Sequence, residues 1–278
     1  MPLVIVPTPI GNLEDMTLRG ISVLQSADII ACEDTRHTLQ LLNHFKIKKP
    51  LISCHEHNEA ARIETLMKRI ENGETVALVS DAGTPGLSDP GGVIIKAAIE
   101  RGLPYDVLPG ANALLPALLL SGMDMESFMF VGFLKGKAEE KRRRLREVSD
   151  VKEPLVFYVS PHKLLRELEI MGELLGDREA ALVREISKIH QESIRGTLLS
   201  FKDILTEDKL RGEYVCVVSG KPVDQNICGE LEWMGEADMM LGMDKSVKDI
   251  ANLLSIKYCI QRNRIKRYLI EKDAEEVK

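Results

Sequence analysis

Apolar residues in the first 110 positions follow two rhythms. Short runs at Leu3–Val6, Ile29–Ala31, Val76–Val79 and Tyr105–Leu108 read as strands, and another run precedes Ser53. Between them the spacing becomes helical. Thr38, Leu41, Leu42 and Phe45 mark one face; Ile63, Leu66, Met67 and Ile70 mark another, stopped by Asn72-Gly73. Strands alternating with helices imply crossover connections and a mainly parallel sheet. Ligands of such sheets bind beyond the carboxyl ends of the strands.

The composition shifts at "SGMDMESFMFVGFL", Ser121 to Leu134, and a second alternation begins. Leu155–Val159, Ala181–Arg184 and Tyr214–Val218 are strand-like. Leu164, Leu168, Met171 and Leu175 form a helical stripe ended by Gly176-Asp177, and Ile194–Phe201 reads as a short strand entering a helix. From Lys221 the periodicity fades, and two helices are expected over Val247–Ile256 and Ile260–Glu271. The expected organisation is an N-terminal α/β domain over 1–121, a second α/β domain over 122–222 and a helical tail over 223–278.

Composition narrows the class. Hydrophobic residues make up 44% and charged residues 29% of the 278, enough for a sizeable core. A net charge of −6 argues against a surface coated in basic residues, but a local patch suffices for nucleic acid. The five cysteines are odd in number and never spaced Cys-x-x-Cys, which speaks against a disulfide framework or a zinc knuckle. "MPLVIVPTPIGN" has no basic leader, and the apolar stretch Ala111–Leu120 contains Pro116 and is too short to span a bilayer. A cytoplasmic protein with no membrane segment is expected.

The candidate chemistry lies at strand ends. "VSDAGTPGLSDPGG", Val79 to Gly92, cannot continue its strand, because Gly83, Pro85, Gly86, Pro90 and Gly91 break both helix and sheet. It reads as a ligand-binding loop or as a long connector. Dinucleotide, phosphate-loop and nucleophile-elbow patterns are all missing. "PTPIGNLEDMT", Pro7 to Thr17, either covers a cofactor or turns the chain. In "ACEDTRHT", Ala31 to Thr38, Asp34 or Thr35 suits a helix N-cap, while Glu33, Arg36 and His37 suit a polar pocket wall or a solvated helix start. "SCHEHNE", Ser53 to Glu59, offers His55, Glu56, His57 and Glu59. Its spacing is not that of a zinc helix, so proton-accepting or orienting roles are preferred and no metal is expected. "LPGANALLPALLLSG", Leu108 to Gly122, lets a ligand approach Gly110, Ala111 and Asn112 closely. "YVSPH" ends a strand at Tyr158, where a core tyrosine is the plainer reading. The run Lys135–Glu147, with Lys141, Arg142, Arg143 and Arg144, is either a solvated helix face or a set of phosphate contacts. "QRNRIKR", Gln261 to Arg267, is a weaker patch of the same kind.

Taken in order, "TPIGNLEDMTLR", "ACEDTRHTLQLL", "HEHNE", "VSDAGTPGLSDPG", "PGANALLPALLLSG", "FYVSPHKLL", "REISKIHQESIRGTL" and "RGEYV" resemble the ribosomal RNA small-subunit methyltransferase I family of the tetrapyrrole methylase superfamily. The resemblance covers roughly Leu3 to Val218; Lys135 departs from it, standing where the pattern has proline. It implies two α/β domains, a mainly parallel N-terminal and a mixed C-terminal sheet, with a cofactor cleft between them. It implies S-adenosylmethionine (SAM) as cofactor and methylation of the 2′-oxygen of a cytidine in the decoding region of 16S rRNA, within the small ribosomal subunit, by a homodimer. By the same pattern Ile10, Asp81, Thr84, Asn112, Ala113, Tyr158 and Arg184 contact SAM, with Ser80 and Gly83 in the loop that holds its methionine end. Asp34, His37, His55 and Glu59 are then expected around the acceptor ribose, and Lys141–Arg144 on RNA. Tetrapyrrole carbon methylation, a non-catalytic RNA-binding protein and a metal hydrolase built on His55 and His57 are the competing readings.

Overall fold

Strand β1 (Leu3–Ile5) is buried at every position, as is β2 (Ile29–Cys32). Such unbroken apolar runs suit strands covered on both faces. They join β3 (Leu51–Ser53), β4 (Val76–Leu78) and β5 (Tyr105–Val107) in an all-parallel sheet of order β3-β2-β4-β1-β5. The connecting helices are α1 (Leu18–Ser26), α2 (Thr35–His44), α3 (Glu59–Glu71) and α4 (Gly92–Glu100). Side chains alternate between two cores: Leu3, Ile5 and Leu78 pack with Leu66, Met67 and Ile94, whereas Val4, Val6 and Ala77 pack with Leu24 and Leu42. The computed structural model describes residues 2–55, 58–206, 209–222, 230–241, 243, 245–258 and 260–276.

Helix α5 (Leu114–Ser121) leads into a second sheet, built from β6 (Met129–Phe133), β7 (Leu155–Val159), β8 (Glu179–Arg184), β9 (Glu192–Thr197) and β10 (Tyr214–Val218). Its order is β6-β7-β10-β8-β9, with β6 parallel to β7 and the remaining pairs antiparallel. The expected combination of a parallel and a mixed sheet is therefore what the chain forms. Helices α6 (Ala138–Val148), α7 (Leu164–Leu175) and α8 (Phe201–Ile204) complete this half, with Leu145, Leu168, Met171 and Phe201 in a core shared with Phe157, Leu182 and Cys216.

The other face of the second sheet is covered by α5. Leu114, Ala117 and Leu118 pack on Val156, Val183, Val215 and Val217. Arg195 of β9 donates to the carbonyls of Ser121 (3.0 Å) and Leu120 (2.5 Å), which satisfies two of the helix's last carbonyls. The chain thus changes sheets before α5, so by packing this helix belongs with the second half rather than ending the first.

Residues 1–221 form one compact unit and 222–278 another. The latter holds α9 (Glu230–Leu241), α10 (Val247–Tyr258) and α11 (Arg262–Glu276) around Trp233, Ala237, Ile250, Leu254, Ile265 and Leu269. The sequence pattern gave no sign of α9, because its apolar residues do not share one face: Trp233 is buried and Met239 exposed. Among the described residues no helix is long and apolar enough to cross a membrane.

If α5 holds the second sheet as its packing indicates, Leu118→Ala lowers unfolding stability by about 2–5 kcal/mol. The neighbouring Leu119, exposed to solvent, tolerates the same change within about 0.5 kcal/mol. Urea unfolding of the two variants checks the contrast; equal losses would mean that α5 is not seated as described.

Candidate functional site

Three loops that leave the carboxyl ends of β1, β2 and β4 are tied into one floor. Thr8, after β1, and Gly83, after β4, exchange a pair of backbone hydrogen bonds (2.8 and 2.9 Å). The Thr8 hydroxyl donates to the Ser80 carbonyl at 3.1 Å. Ser80 is itself buried, its hydroxyl near the carbonyls of Ala82 (3.3 Å) and Gly83 (3.4 Å). Gly83 has φ +82°, a conformation that favours glycine. Thr84 donates to the Ala111 carbonyl at 3.0 Å and so ties in the loop after β5. From the β2 end, the Asp34 amide donates to Asp81 Oδ1 at 3.0 Å.

Above this floor, between the two sheets, lies a cleft of about 460 Å³. Ile10, Asp81, Gly83, Thr84, Asn112 and Ala113 line it from the first half. Tyr158, Phe133, Ile186 and the 213–215 segment line it from the second. Ile10, Leu87, Ala113, Phe130 and Tyr158 also pack against the α5 core, so one cleft wall is apolar and supported from behind. Glu33, Asp81, Asp89 and Glu213 line the space, Glu213 with its carboxylate paired to Lys188 at 3.1 Å, and no lysine or arginine is among the described residues that line it. Burial pushes the Asp89 carboxyl up to about 6, with the charges of Glu33, Asp81 and Glu213 adding to the effect. Burial likewise raises the Tyr158 hydroxyl to about 12, with Asp89 contributing.

A second cavity of about 320 Å³ shares Ile10, Asp81, Ala82 and Glu213 with the cleft and is lined further by His37, Gln40 and Lys188. His37 Nδ1 stands 4.0 Å from Asp81 Oδ1. Asp81 is therefore the wall between the two spaces.

Several expected site residues stand elsewhere. Asp34 is the N-cap of α2: it accepts from the Arg36 amide at 2.8 Å and pairs with the Arg36 guanidinium at 2.8 Å. That pairing holds its carboxyl down at about 2, too weak a base to take a proton near neutral pH. His55 lines neither cavity; its amide donates to Asn58 Oδ1 at 2.9 Å. The reason is topological. β3 is an edge strand separated from β4 by β2, about 10 Å away, which sets the described residue His55 apart from the floor. Glu59 opens α3, with its side chain outside the described residues, as are Glu56 and His57. Arg184 is in register with Tyr214 on the sheet face that carries Leu182 and Cys216, and it does not line the cleft. Lys141 is withdrawn from any phosphate role, because its ammonium is buried against Glu167. Arg142 pairs with Glu173 (2.7 Å), and Arg143 and Arg144 approach Glu147 (3.9 and 3.0 Å), so the basic run is largely compensated.

Asp89, Phe133 and Glu213 were missed as site residues. Asp89 sits inside the Gly- and Pro-rich stretch Val79 to Gly92, where a carboxylate after a strand is a candidate site residue. Phe133 and Glu213 come from strand ends of the second sheet, which periodicity does not orient toward the first.

The fold and cleft define a class. A family model described as Tetrapyrrole (Corrin/Porphyrin) Methylases matches residues 2–201. Among solved structures, uroporphyrin-III C-methyl transferase from Thermus thermophilus, complexed with S-adenyl homocysteine, superposes with a TM-score of 0.57 at 18% identity, covering 79% of this chain and 97% of that one. Closer in sequence is Ribosomal RNA small subunit methyltransferase I of Bacillus subtilis (strain 168), 44% identical over 83% of this chain and 79% of the relative. Its counterpart in Synechocystis is 36% identical over 98% of this chain and 99% of the relative. The chain belongs to the ribosomal RNA small subunit methyltransferase I family, within the tetrapyrrole methylases.

The raised Asp89 carboxyl has a consequence for stability. In the unfolded chain it ionises near 3.9, in the folded chain near 6. Between those values the folded state holds the extra proton, so stability falls as pH rises through the window and stays lower above it. Asp89→Asn removes this penalty. The variant should have a higher urea midpoint than the parent at pH 7.5, with the gain gone by about pH 4. A gain that does not change with pH would assign the effect to packing instead.

Proposed function

We propose that the protein transfers a methyl group from SAM to the 2′-oxygen of a cytidine in the decoding region of 16S rRNA, acting on the small subunit in the cytoplasm as a homodimer. The observation that carries this reading is the charge of the cleft. A cavity with an apolar wall, four acidic residues of which Glu213 is paired with Lys188, and no lysine or arginine among its described lining fits a cofactor that is cationic and largely apolar, and disfavours a phosphate-bearing one. SAM would supply a methyl group on a positively charged sulfur. Ile10, Gly83, Thr84, Asn112, Ala113 and Tyr158 would hold it. Ser80 braces the loop from beneath, and Asp81 stands where the cleft meets the cavity lined by His37.

The protein's work is then positioning and proton removal. SAM would supply the methyl group to the ribose oxygen and keep the sulfur's electron pair, while the chain's own part would be to orient that hydroxyl and take its proton on a carboxylate of the cleft. Asp89 is the carboxylate matched to that task near neutral pH, in place of Asp34. Glu33 and Asp81 line the same cleft as Asp89, where the acceptor ribose enters, and His37 lines the adjoining cavity. Arg142, Arg143 and Arg144 hold exposed glutamate pairs of little net strength, which phosphates can displace.

Purified protein with labelled SAM, offered 30S subunits or uroporphyrinogen, tests the substrate, and mapping of 2′-O-methylation on the 16S rRNA tests the position. Label in the porphyrin and not in the RNA would favour carbon methylation; no SAM binding in calorimetry would leave an RNA-binding protein. For the base, kcat/KM on 30S subunits should rise with pH through about 6 as Asp89 loses its proton. The inflection in kcat should lie lower, because a bound cation favours the carboxylate. Asp89→Asn should lower turnover about a hundredfold or more and remove both inflections. A variant that keeps the parent's pH profile would return the search to the other carboxylates.

A further inference from the structure

A third cavity, of about 300 Å³, opens beside the cleft and shares the walls Phe133 and Ser160 with it. Its charge is the reverse of its neighbour's. Lys135 and Lys163 line it, and its one acidic wall residue, Glu167, is already neutralised by Lys141. Between the lysines and the cleft stands Phe133, 44% exposed, its ring edge-on to Tyr158 at 5.4 Å. The loop is shaped in advance. Gly136 has φ +83°, and a Cβ there would lie 1.7 Å from Glu140 Oε2, the oxygen that takes the Lys137 amide at 2.7 Å to start α6.

We propose that this cavity receives the RNA nucleotide flanking the one to be methylated, its base against Phe133 and its phosphate between Lys135 and Lys163. The inference rests on the RNA substrate proposed above. The carboxylates of the cleft repel phosphate, so the backbone of an RNA strand crossing the cleft mouth must find its positive contacts on the rim. Of the two described cavities that share walls with the cleft and carry lysine, this one has two, whereas Lys188 of the other is paired with Glu185 and Glu213. An exposed aromatic face beside lysines is what single-stranded nucleic acid uses. The volume lies at the lower end of small-molecule sites, roughly 300–1,000 Å³, and admits one nucleotide, not a duplex. Lys141, withdrawn from direct phosphate contact, acts here by silencing Glu167.

The test uses the full chain with three variants: Phe133→Ala, Phe133→Tyr and the double change Lys135→Gln, Lys163→Gln. Thermal melting checks that each variant is folded, since the Phe133 ring also packs on Tyr158. Binding of a short single-stranded RNA should weaken about five- to hundredfold in Phe133→Ala and recover in Phe133→Tyr. The double variant should flatten the dependence of log Kd on log salt by about 0.7 per lysine. KM for 30S subunits should rise in parallel, while SAM affinity by calorimetry stays within about twofold in the double lysine variant, whose residues do not line the cleft. An unchanged salt slope, or an RNA affinity indifferent to the aromatic ring, overturns the proposal. So does a fall in SAM affinity matching the loss of activity, since Phe133 would then serve only the cofactor. If the parent protein transfers no methyl to 30S subunits, the proposed function falls, while the RNA-binding arms still decide the cavity.

Discussion

The paired backbone hydrogen bonds between Thr8 and Gly83 fix where everything else in the cleft can stand. β1 and β4 are adjacent parallel strands, and loops leaving such strands have no inherent reason to stay together. Here they are joined by a two-bond bridge and a hydroxyl contact from Thr8 to the Ser80 carbonyl. With the backbone held at Gly83, Asp81 faces outward, where it takes the Asp34 amide and so brings in the loop after β2. A side chain at Gly83 would meet only ordinary contacts, Ile10 Cγ2 at 3.6 Å and Ala111 O at 3.9 Å. The objection to one is the positive φ, not the space.

The floor carries a cost that its ligand can offset. Four acidic residues line a partly desolvated space, Glu213 paired with Lys188 at its edge, and burial together with the neighbouring charges raises the Asp89 carboxyl to about 6. An acidic lining of this kind suits a cationic ligand. The opposite sign appears one wall away, beyond Phe133, with Lys135 and Lys163. Under the proposed function, cofactor and RNA backbone would be sorted by charge before any specific contact is made.

Much of this was legible in the sequence where a residue's role is local. Gly83, Pro85 and Gly86 announce a loop because no helix or strand accepts them in that order. Asp34 carried its capping reading openly. Where position depends on strand order, the sequence is silent. Nothing in "SCHEHNE" says that its strand is the sheet's edge, nor does "VREIS" say on which face Arg184 lies. Lys141 looked like one cation among many, since its partner Glu167 is twenty-six positions away on another helix. Pattern shows that a side chain is charged, but packing decides whether the charge is available.

Helix α5 connects these levels. Its first turn follows Asn112 and Ala113, which line the cleft, and its apolar side, Leu114, Ala117 and Leu118, is the packing that covers the second sheet. Its last carbonyls are held by Arg195 from the far edge of that sheet. The loop that meets the cofactor and the helix that joins the halves are therefore one continuous piece of chain. A ligand seated against Asn112 and Ala113 touches the first sheet's loops on one side and Tyr158 on the other, and it binds only when α5 is docked. Any such ligand must stabilise the junction by its own binding free energy, because the undocked state offers it half a site. Catalytic geometry and the cohesion of the two sheets are, in this protein, the same constraint met at two ends of one helix.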